Sequence, residues 1–376
     1  MDGAGATPRT LRELNAQTVL AALVRQGRAS SRAELARITG MAKPTVGHAL
    51  ETLLRAGLVH EVSPPGQLHY GAVYFGPSDG VGHVLVVDIG MRYLRAGLAD
   101  LGGRMVARCD LLLPDTRPAT VLERLSTARD QLTIGVDLAA CVVGVPGVVE
   151  PDTGVIRLAG PPDLENFPIR DAVRQLVDSP IQIENDVNLA ALGEQWRGAG
   201  RGVTDFAFLS IGSGVGAGLV LNGRLHRGFR GAAGEIDVPG LGGTPAPRSA
   251  AADAFAALTT RRLGMPVEPA EVFARASAGD ITATEVVDEE ASRIAAAIAP
   301  IAMVADVELV VLGGGIGLNA VHLLQPVRDA LTASVPFPPR IEIAQLGDAA
   351  VLTGAVAIGT STARPLVIAD RLRAAS

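Results

Sequence analysis

Apolar positions in the first sixty residues recur at helical spacing. Leu14, Val19, Leu20, Leu23 and Val24 share one face and predict a first helix of about three turns. Ser31 and Glu34 form an S-x-x-E capping box ahead of LARIT, and Gly40 stands where the chain leaves that second helix. Val46, Leu50, Leu53 and Leu54 supply the buried stripe of a third helix, which Gly57 ends. Pro44 suits its first turn, which puts Lys43 at the cap position. Neither Lys43 nor Ala42 offers a side-chain acceptor to the free N–H groups, so this helix should start weakly, by about 1 kcal/mol. LVHEV and LHYGAVYF alternate like two strands joined by the turn SPPGQ, and GPSDG, residues 76–80, reads as a linker.

Helix, glycine turn, helix and paired strands, in that order, outline a winged helix-turn-helix over residues 1–75. In such a module the N-terminal part of the second helix of the motif lies nearest the bases. Here that part holds Lys43, the only lysine of the chain, with Pro44, Thr45 and His48. Lys43 can reach a phosphate or a guanine edge, and Thr45 a phosphate or a thymine methyl. Arg32, at the start of the preceding helix, is a phosphate anchor. The bland alternative is a helical hairpin that binds protein, or a winged fold used only to dimerise. Cap, turn, helix and wing occurring in order favour the DNA reading. Charge suits it, though ordinary fluctuation could give the same: residues 1–75 carry eight basic and five acidic side chains, a net of +3, within a chain of net charge −6. A mildly basic head on an acidic body keeps the body off the phosphates.

From residue 81 the pattern changes. VGHVLVVDIG reads as a buried strand ending in a glycine turn; YLRAGLAD and RMVARCDLLL follow as meander strands, then a helix near 118–132. CVVGVPGVV is a further strand, and IQIEND runs into the helix VNLAALGEQW. A second series opens at DFAFLSIGSGVGAGLVLNG, and a helix near 284–305 leads into VELVVLGGGIG. LTGAVAIGT reads as a closing helix. Two such series predict two related α/β lobes around a cleft, over residues 81–376.

Three strand ends carry the chemistry. Asp88 and Gly90, then Gly212, Gly214 and Gly216, then Gly313, Gly314 and Gly315 each follow a predicted strand, where backbone N–H groups can approach an anion. Asn185 and Asp186 end a strand and open a helix. Asp186 could take a proton from a sugar hydroxyl as general base, or either side chain could simply cap the helix. Glu235, in GAAGEIDVPG, is a loop acid or a ligand to polyol hydroxyls. Paired acids and amides supply the many directed acceptors and donors that a sugar needs.

Composition narrows the class. Hydrophobic residues make up 48% and aromatics 3%; the first figure supports sizeable cores, and the second weakens a base-stacking, single-strand reader. Cys109 and Cys141 are the only cysteines, too few for a disulfide framework or a multi-cysteine zinc site. The N-terminus lacks the apolar core of a signal peptide. The most apolar run, Ile294 to Ala305, is too short to span a bilayer and is broken by Pro300. The expectation is a cytoplasmic protein with no membrane partner.

The motifs together resemble the ROK family of repressors and sugar kinases, over almost the whole chain. The resemblance rests on NAQTVLAALVRQG, SRAELARITGMAKPTV, DIG, GVPGVV, ENDVNLAALGE, SIGSGVGAGLVLNG, GAAGEI and VVLGGGIG. It implies an α/β, actin-like, two-lobed sugar-kinase fold preceded by the winged helix-turn-helix of the family's transcription-factor branch. By position, Asn185 and Asp186 match its sugar-binding pair, with Asp186 at the catalytic base. Glu235 matches a sugar-contacting glutamate, Asp253 falls where a later sugar-binding glutamate is expected though it is a shorter acid, and Asn166 lies near a segment that often contacts sugar.

Two departures favour the regulatory branch. Kinases of the family carry Asp-x-Gly-Gly-Thr at the first phosphate loop, whereas this chain reads Asp88-Ile89-Gly90-Met91-Arg92. Phosphoryl transfer depends on positioning, so kinase activity and ATP use are expected to be weak or absent. Val238 stands where the family has a metal-site histidine, and the CxCGxxGC cluster is missing, so no structural zinc is expected. The implied protein is a sugar-responsive regulator, a repressor bound to double-stranded DNA as a homodimer or homotetramer. The alternatives are a sugar kinase with an appended DNA-binding domain, and a regulator that no longer senses a ligand.

Overall fold

The computed structural model describes residues 8–26, 28–62, 73–78, 81–236 and 249–374. The turn SPPGQ, the first part of the second wing strand, residues 79–80 and Val238 lie outside them.

The head comprises α1 (Pro8–Gln26), β1 (Ser30–Ser31), α2 (Arg32–Thr39), α3 (Lys43–Arg55), β2 (Val59–Val62) and β3 (Tyr74–Pro77). The first helix is longer than the apolar spacing predicts, because its polar N-terminal turns continue the same backbone. The capping box on α2 forms in full: the Glu34 N–H donates to Ser31 Oγ at 3.3 Å, and the Ser31 N–H to Glu34 Oε2 at 2.8 Å. Helix α3 begins one residue earlier than expected. Ala42, not Lys43, is its cap, Lys43 is its first residue, and no side chain caps it. Gly76 and Pro77 belong to β3, since Gly76 pairs with His60 and Pro77 with Val59, so the wing runs into the segment read as a linker.

The body holds two five-stranded sheets of the same topology. In the first, β4 (His83–Ile89), β5 (Tyr93–Asp100) and β6 (Met105–Leu112) form an antiparallel meander. Helix α4 (Pro118–Leu132) follows, and β7 (Leu138–Val145) pairs parallel with β4. The short hairpin β8 (Val148–Val149) and β9 (Ile156–Arg157) and helix α5 (Ile169–Arg174) lead to β10 (Ile181–Asn185), parallel to β7. Helix α6 (Asp186–Arg197) then crosses to the second lobe. There β11 (Phe206–Ile211), β12 (Val215–Leu221) and β13 (Arg224–His226) repeat the meander. Helices α7 (Ala252–Leu263), α8 (Pro269–Ser277) and α9 (Ile281–Ala305) precede β14 (Leu309–Gly313), parallel to β11. After α10 (Gly314–Gly317) and α11 (Ala320–Ser334), β15 (Arg340–Ile343) completes the sheet, and α12 (Ala350–Ala374) closes the chain.

Both faces of the first sheet are buried at β4 and β7, which is why β4 is apolar almost throughout, while the edge strand β6 is largely exposed. Leu85, Val87 and Ile89 face a core with α4, while Val84 and Val86 pack on α6 and α12 through Leu189, Leu352 and Val356. Ala190 and Ala191 of α6 and Ala350 of α12 also enter the core under Phe206 and Phe208 of the second sheet. Helices α6 and α12 are thus the shared layer between the lobes. They touch backbone to backbone: a Cβ on Gly354 would lie 1.8 Å from the Leu189 carbonyl oxygen, and one on Gly193 would lie 2.3 Å from that of Ala350. Helix α12 continues to the head, where Ile368 joins the core formed by Leu20, Leu23, Leu50 and Phe75. The span Gly347–Arg371, rather than Ile294–Ala305, is apolar and long enough to cross a membrane among the described residues; here it serves as this central core helix.

Candidate functional site

The cleft between the lobes has a volume of about 170 Å³ and is lined by Asp88, Arg95, Asp186, Gly314, Gly315 and Asp348, among others. It lies where strands of both sheets end, the usual crevice of α/β folds. The tight turn after β4 sets Asp88 opposite Arg95 across the β4–β5 ladder. Arg95 Nη1 stands 3.5 Å from Asp88 Oδ2, and Nη2 stands 4.0 Å from Asp348 Oδ2. Asp88 is only 5% exposed, and burial pushes its carboxyl up to about 6 despite the Arg95 charge.

Asp186 opens α6. Burial, then the charge of Asp88 and that of Glu235, push it up to about 7, against the lowering effect of the Val187 N–H, which donates to Asp186 Oδ1 at 2.8 Å. Burial raises Glu235 as well. Asp186 therefore feels the charge of both Asp88 and Glu235. A carboxyl poised near neutrality can exchange a proton with a hydroxyl, and the cluster offers acceptors to a polyol.

Asn185 takes the cap role. Its Oδ1 accepts the Asn188 N–H at 2.9 Å and its Nδ2 donates to the Gly147 carbonyl at 3.1 Å. Asn166 and Asp253 do not line this cleft. Asn166 is exposed in a turn at φ 66°, where its side chain accepts from Arg157. Asp253 is exposed in the first turn of α7, which docks through the Ala252 N–H on the Gly212 carbonyl at 2.8 Å. Gly314 is required by the fold: its φ is 78°, and a Cβ there would stand 2.3 Å from the Ile211 carbonyl oxygen. At Gly315 the space is open, so its backbone can be approached from the cleft. Gly90, Gly212 and Gly214 stand in the turns after β4 and β11, and Gly313 ends β14; Gly216, expected in the turn, lies inside β12 opposite Ser210.

Sequence reasoning passed over Arg95, Asp348 and a bridge between the lobes. Arg227, just after β13, donates from Nε to Glu184 Oε2 at 2.6 Å. Glu184 is buried in β10, and its Oε1 accepts from the Asn185 N–H and from Asn188 Nδ2 at 3.1 and 3.0 Å. A tight turn at Met91-Arg92 would have paired positions 88 and 95; nothing local points from Arg227 to Glu184.

On the head, Lys43, Pro44 and His48 are exposed along the N-terminal half of α3, with Thr45 half-buried. His48 Nδ1 sits 2.8 Å from the Pro44 carbonyl; donating there leaves Nε2 as an acceptor for a base amino group or as a contact to backbone. The exposed Arg32 reaches across to α3, its guanidinium carbon 3.5 Å from where a Gly47 Cβ would be. It thus stands beside the reading helix rather than only at the start of α2.

Comparison with known proteins decides the family. The ROK family profile matches residues 84–238 and 246–361. The chain belongs to the ROK family. Residues 14–63 match the IclR helix-turn-helix domain, so this ROK protein carries a DNA-binding type of head. Over 306 residues it is 30% identical to a glucokinase of Halalkalibacterium halodurans, covering 71% of this chain and 92% of that one. It is 25% identical over 390 residues to a xylose repressor of Caldicellulosiruptor bescii, covering 93% and 96%. A solved ROK family transcriptional regulator, a homologue of the E. coli MLC protein, superposes with a TM-score of 0.76 at 21% identity, covering 96% of this chain and 99% of its own. The glucokinase matches a body-sized part of the chain, whereas the repressor matches nearly all of it.

Proposed function

We propose that this ROK protein is a sugar-responsive transcriptional regulator, a repressor that reads a double-stranded operator in the cytoplasm as a dimer or tetramer. One observation carries the reading: α12 lines the interlobe cleft through Ala350 and Val351 and enters the core of the DNA head through Ile368. A sugar that binds one arrangement of the lobes better than another shifts the population of both arrangements, and a helix shared with the head passes that shift to α3. The acids of the cleft support a regulator over a kinase. Asp88, Asp186 and Asp348 line it with one arginine, Arg95, which is already placed between Asp88 and Asp348, and this is a poor cradle for a polyphosphate. Met91, 45% exposed at the turn, stands where the kinases have glycine. The zinc cluster of the family has no counterpart in the sequence, and both cysteines stand on first-lobe strands; we propose that the protein works without zinc or ATP.

The test is a mobility shift on the protein's own promoter region, with and without sugars. A specific shift that a sugar weakens supports the reading, and absence of specific binding at moderate salt overturns it. The kinase alternative draws on Asp186, whose carboxyl near 7 suits a general base. ATP-dependent sugar phosphorylation that Asp186→Ala abolishes would establish it instead. A regulator without ligand sensing predicts no thermal stabilisation by any sugar, whereas a ligand at about 100 times its Kd should add roughly 2.7 kcal/mol.

A further inference from the structure

A second cavity, of about 720 Å³, opens at the other end of α6, where the body meets the head. Val24 of α1, Trp196 and Arg197 of α6, Arg201 beyond it, and Thr360 and Arg364 of α12 contribute to its wall. Its size falls within the usual range for small-molecule sites, about 300–1,000 Å³. Three guanidinium groups line it, and none of its described lining residues is acidic.

Two of those arginines are held in place by one turn. Arg197 Nη2 donates to the Gly103 carbonyl at 2.9 Å, and Arg364 Nε to the Leu101 carbonyl at 2.7 Å. The Arg197 guanidinium lies 3.8 Å over the Trp196 ring, so it is fixed as a plate. The carboxylate of Asp100 acts on the charge of Arg197. Both its oxygens already accept from Arg104, from the backbone N–H at 2.9 Å and Nε at 3.1 Å. Arg197 and Arg201 therefore give the cavity a positive wall, and Arg197 is preorganised by its carbonyl and its ring.

We propose that this cavity binds a phosphorylated small molecule. Arginine forks match phosphate oxygens, with Arg197 and Arg201 as the anchoring pair. The volume is far larger than one phosphate needs, and Leu192, Trp196 and Ala357 give the rest of the wall an apolar stretch for the esterified group. The ligand would touch α1 of the head as well as α6 and α12 of the body. The site does not rest on the DNA-binding reading, and its test uses no DNA.

Trp196 is the chain's only tryptophan, so its fluorescence reports on this wall alone. The full-length protein is titrated at constant ionic strength with glucose 6-phosphate, inorganic phosphate and glucose, with calorimetry on the same samples. The expected result is saturable binding of glucose 6-phosphate, tighter than inorganic phosphate, with a change in Trp196 emission. Arg201→Ala, on an exposed turn, should weaken it at least tenfold while leaving the melting temperature unchanged. Asp186→Ala should leave it intact. No binding of any phosphate by either method overturns the proposal, as does affinity equal to the parent's in both Arg201→Ala and an Arg197→Met/Arg201→Ala double variant. Loss in Asp186→Ala would move the ligand to the cleft, and equal affinity for ester and free phosphate would overturn the ester assignment.

Discussion

The cleft and the reading edge of α3 stand at opposite ends of one helical layer and are built on opposite rules. The cleft is dense in charge and desolvates its inner acids: Asp88 and Asp186 are pushed up to about 6 and about 7, with one arginine between Asp88 and the exposed Asp348. The edge of α3 is exposed, and its helix start has no side-chain cap. The cleft holds its free-energy cost in desolvated carboxyls, and the edge holds a smaller one in unsatisfied backbone N–H groups. Each is less stable than it could be, and each cost is of the kind that its expected ligand would relieve: hydroxyls at the acids, phosphates at the N–H groups.

The largest effect should come from separating the two ends. Gly354→Val would force a branched side chain into the Leu189 backbone, where even a Cβ would be 1.8 Å from the carbonyl oxygen. Overpacking of this kind should cost at least about 3 kcal/mol, read as urea unfolding. Gly354→Ala offers a milder version if the valine variant does not fold. An unchanged unfolding midpoint in both would mean that α6 and α12 are not in backbone contact.

Next comes the pH dependence of the cleft. A carboxyl whose folded pKa is raised holds its proton more tightly in the folded state. Across the window from 3.8, the ordinary value, to about 7 for Asp186, the folded chain binds more protons than the unfolded one. Stability therefore falls as pH rises through that window and levels off above it. Buried Glu290, pushed up to about 8, acts in the same direction. Asp186→Asn removes one such cost. It should be more stable than the parent above pH 7, by on the order of 3 kcal/mol, with the gain shrinking towards pH 4. The same variant should lose its stabilisation by sugar. A gain independent of pH would show that Asp186 is not desolvated.

These elements were unequally legible in the sequence. The helices of the head could be read because capping, glycine turn and apolar stripe are local devices, and the boundary errors at Lys43 and Gly76 are of one or two residues. The two meanders were legible from repeated strand-and-glycine series. Arg227 and Glu184 come together only because the lobes close, and no spacing encodes a contact over 43 residues. At Asn185 the sequence left helix cap and sugar contact both open; the cap is formed, and the amide keeps a second N–H and a second lone pair. The role of α12 was hidden for another reason: its apolar residues face both sheets and the head, so no single periodic stripe marks it.

At the reading edge the effects are smaller. Lys43 is exposed at the first position of α3, and its removal in Lys43→Ala should weaken operator binding by about 1 kcal/mol and lower the salt slope by about one charge. Sugar binding should not change. An operator titration with unaltered affinity and slope would remove Lys43 from the interface and leave Arg32, Thr45 and His48 to carry it.

The smallest effect gives the finest test of the contrast. Ser31 caps α2 with its side chain, while Ala42 leaves α3 without such a cap. Ala42→Ser supplies the missing acceptor and should stabilise the protein by about 0.5–1 kcal/mol in urea unfolding, and Ser31→Ala should cost a similar amount. The head shares its core with Ile368 of the body, so the effect should appear in the unfolding of both. A phosphate docked at the start of α3 would use the same N–H groups that the new hydroxyl engages. Ala42→Ser should therefore gain stability and lose a little operator affinity together. A variant that gains stability with full affinity would show that the free N–H groups of α3 play no part in holding DNA.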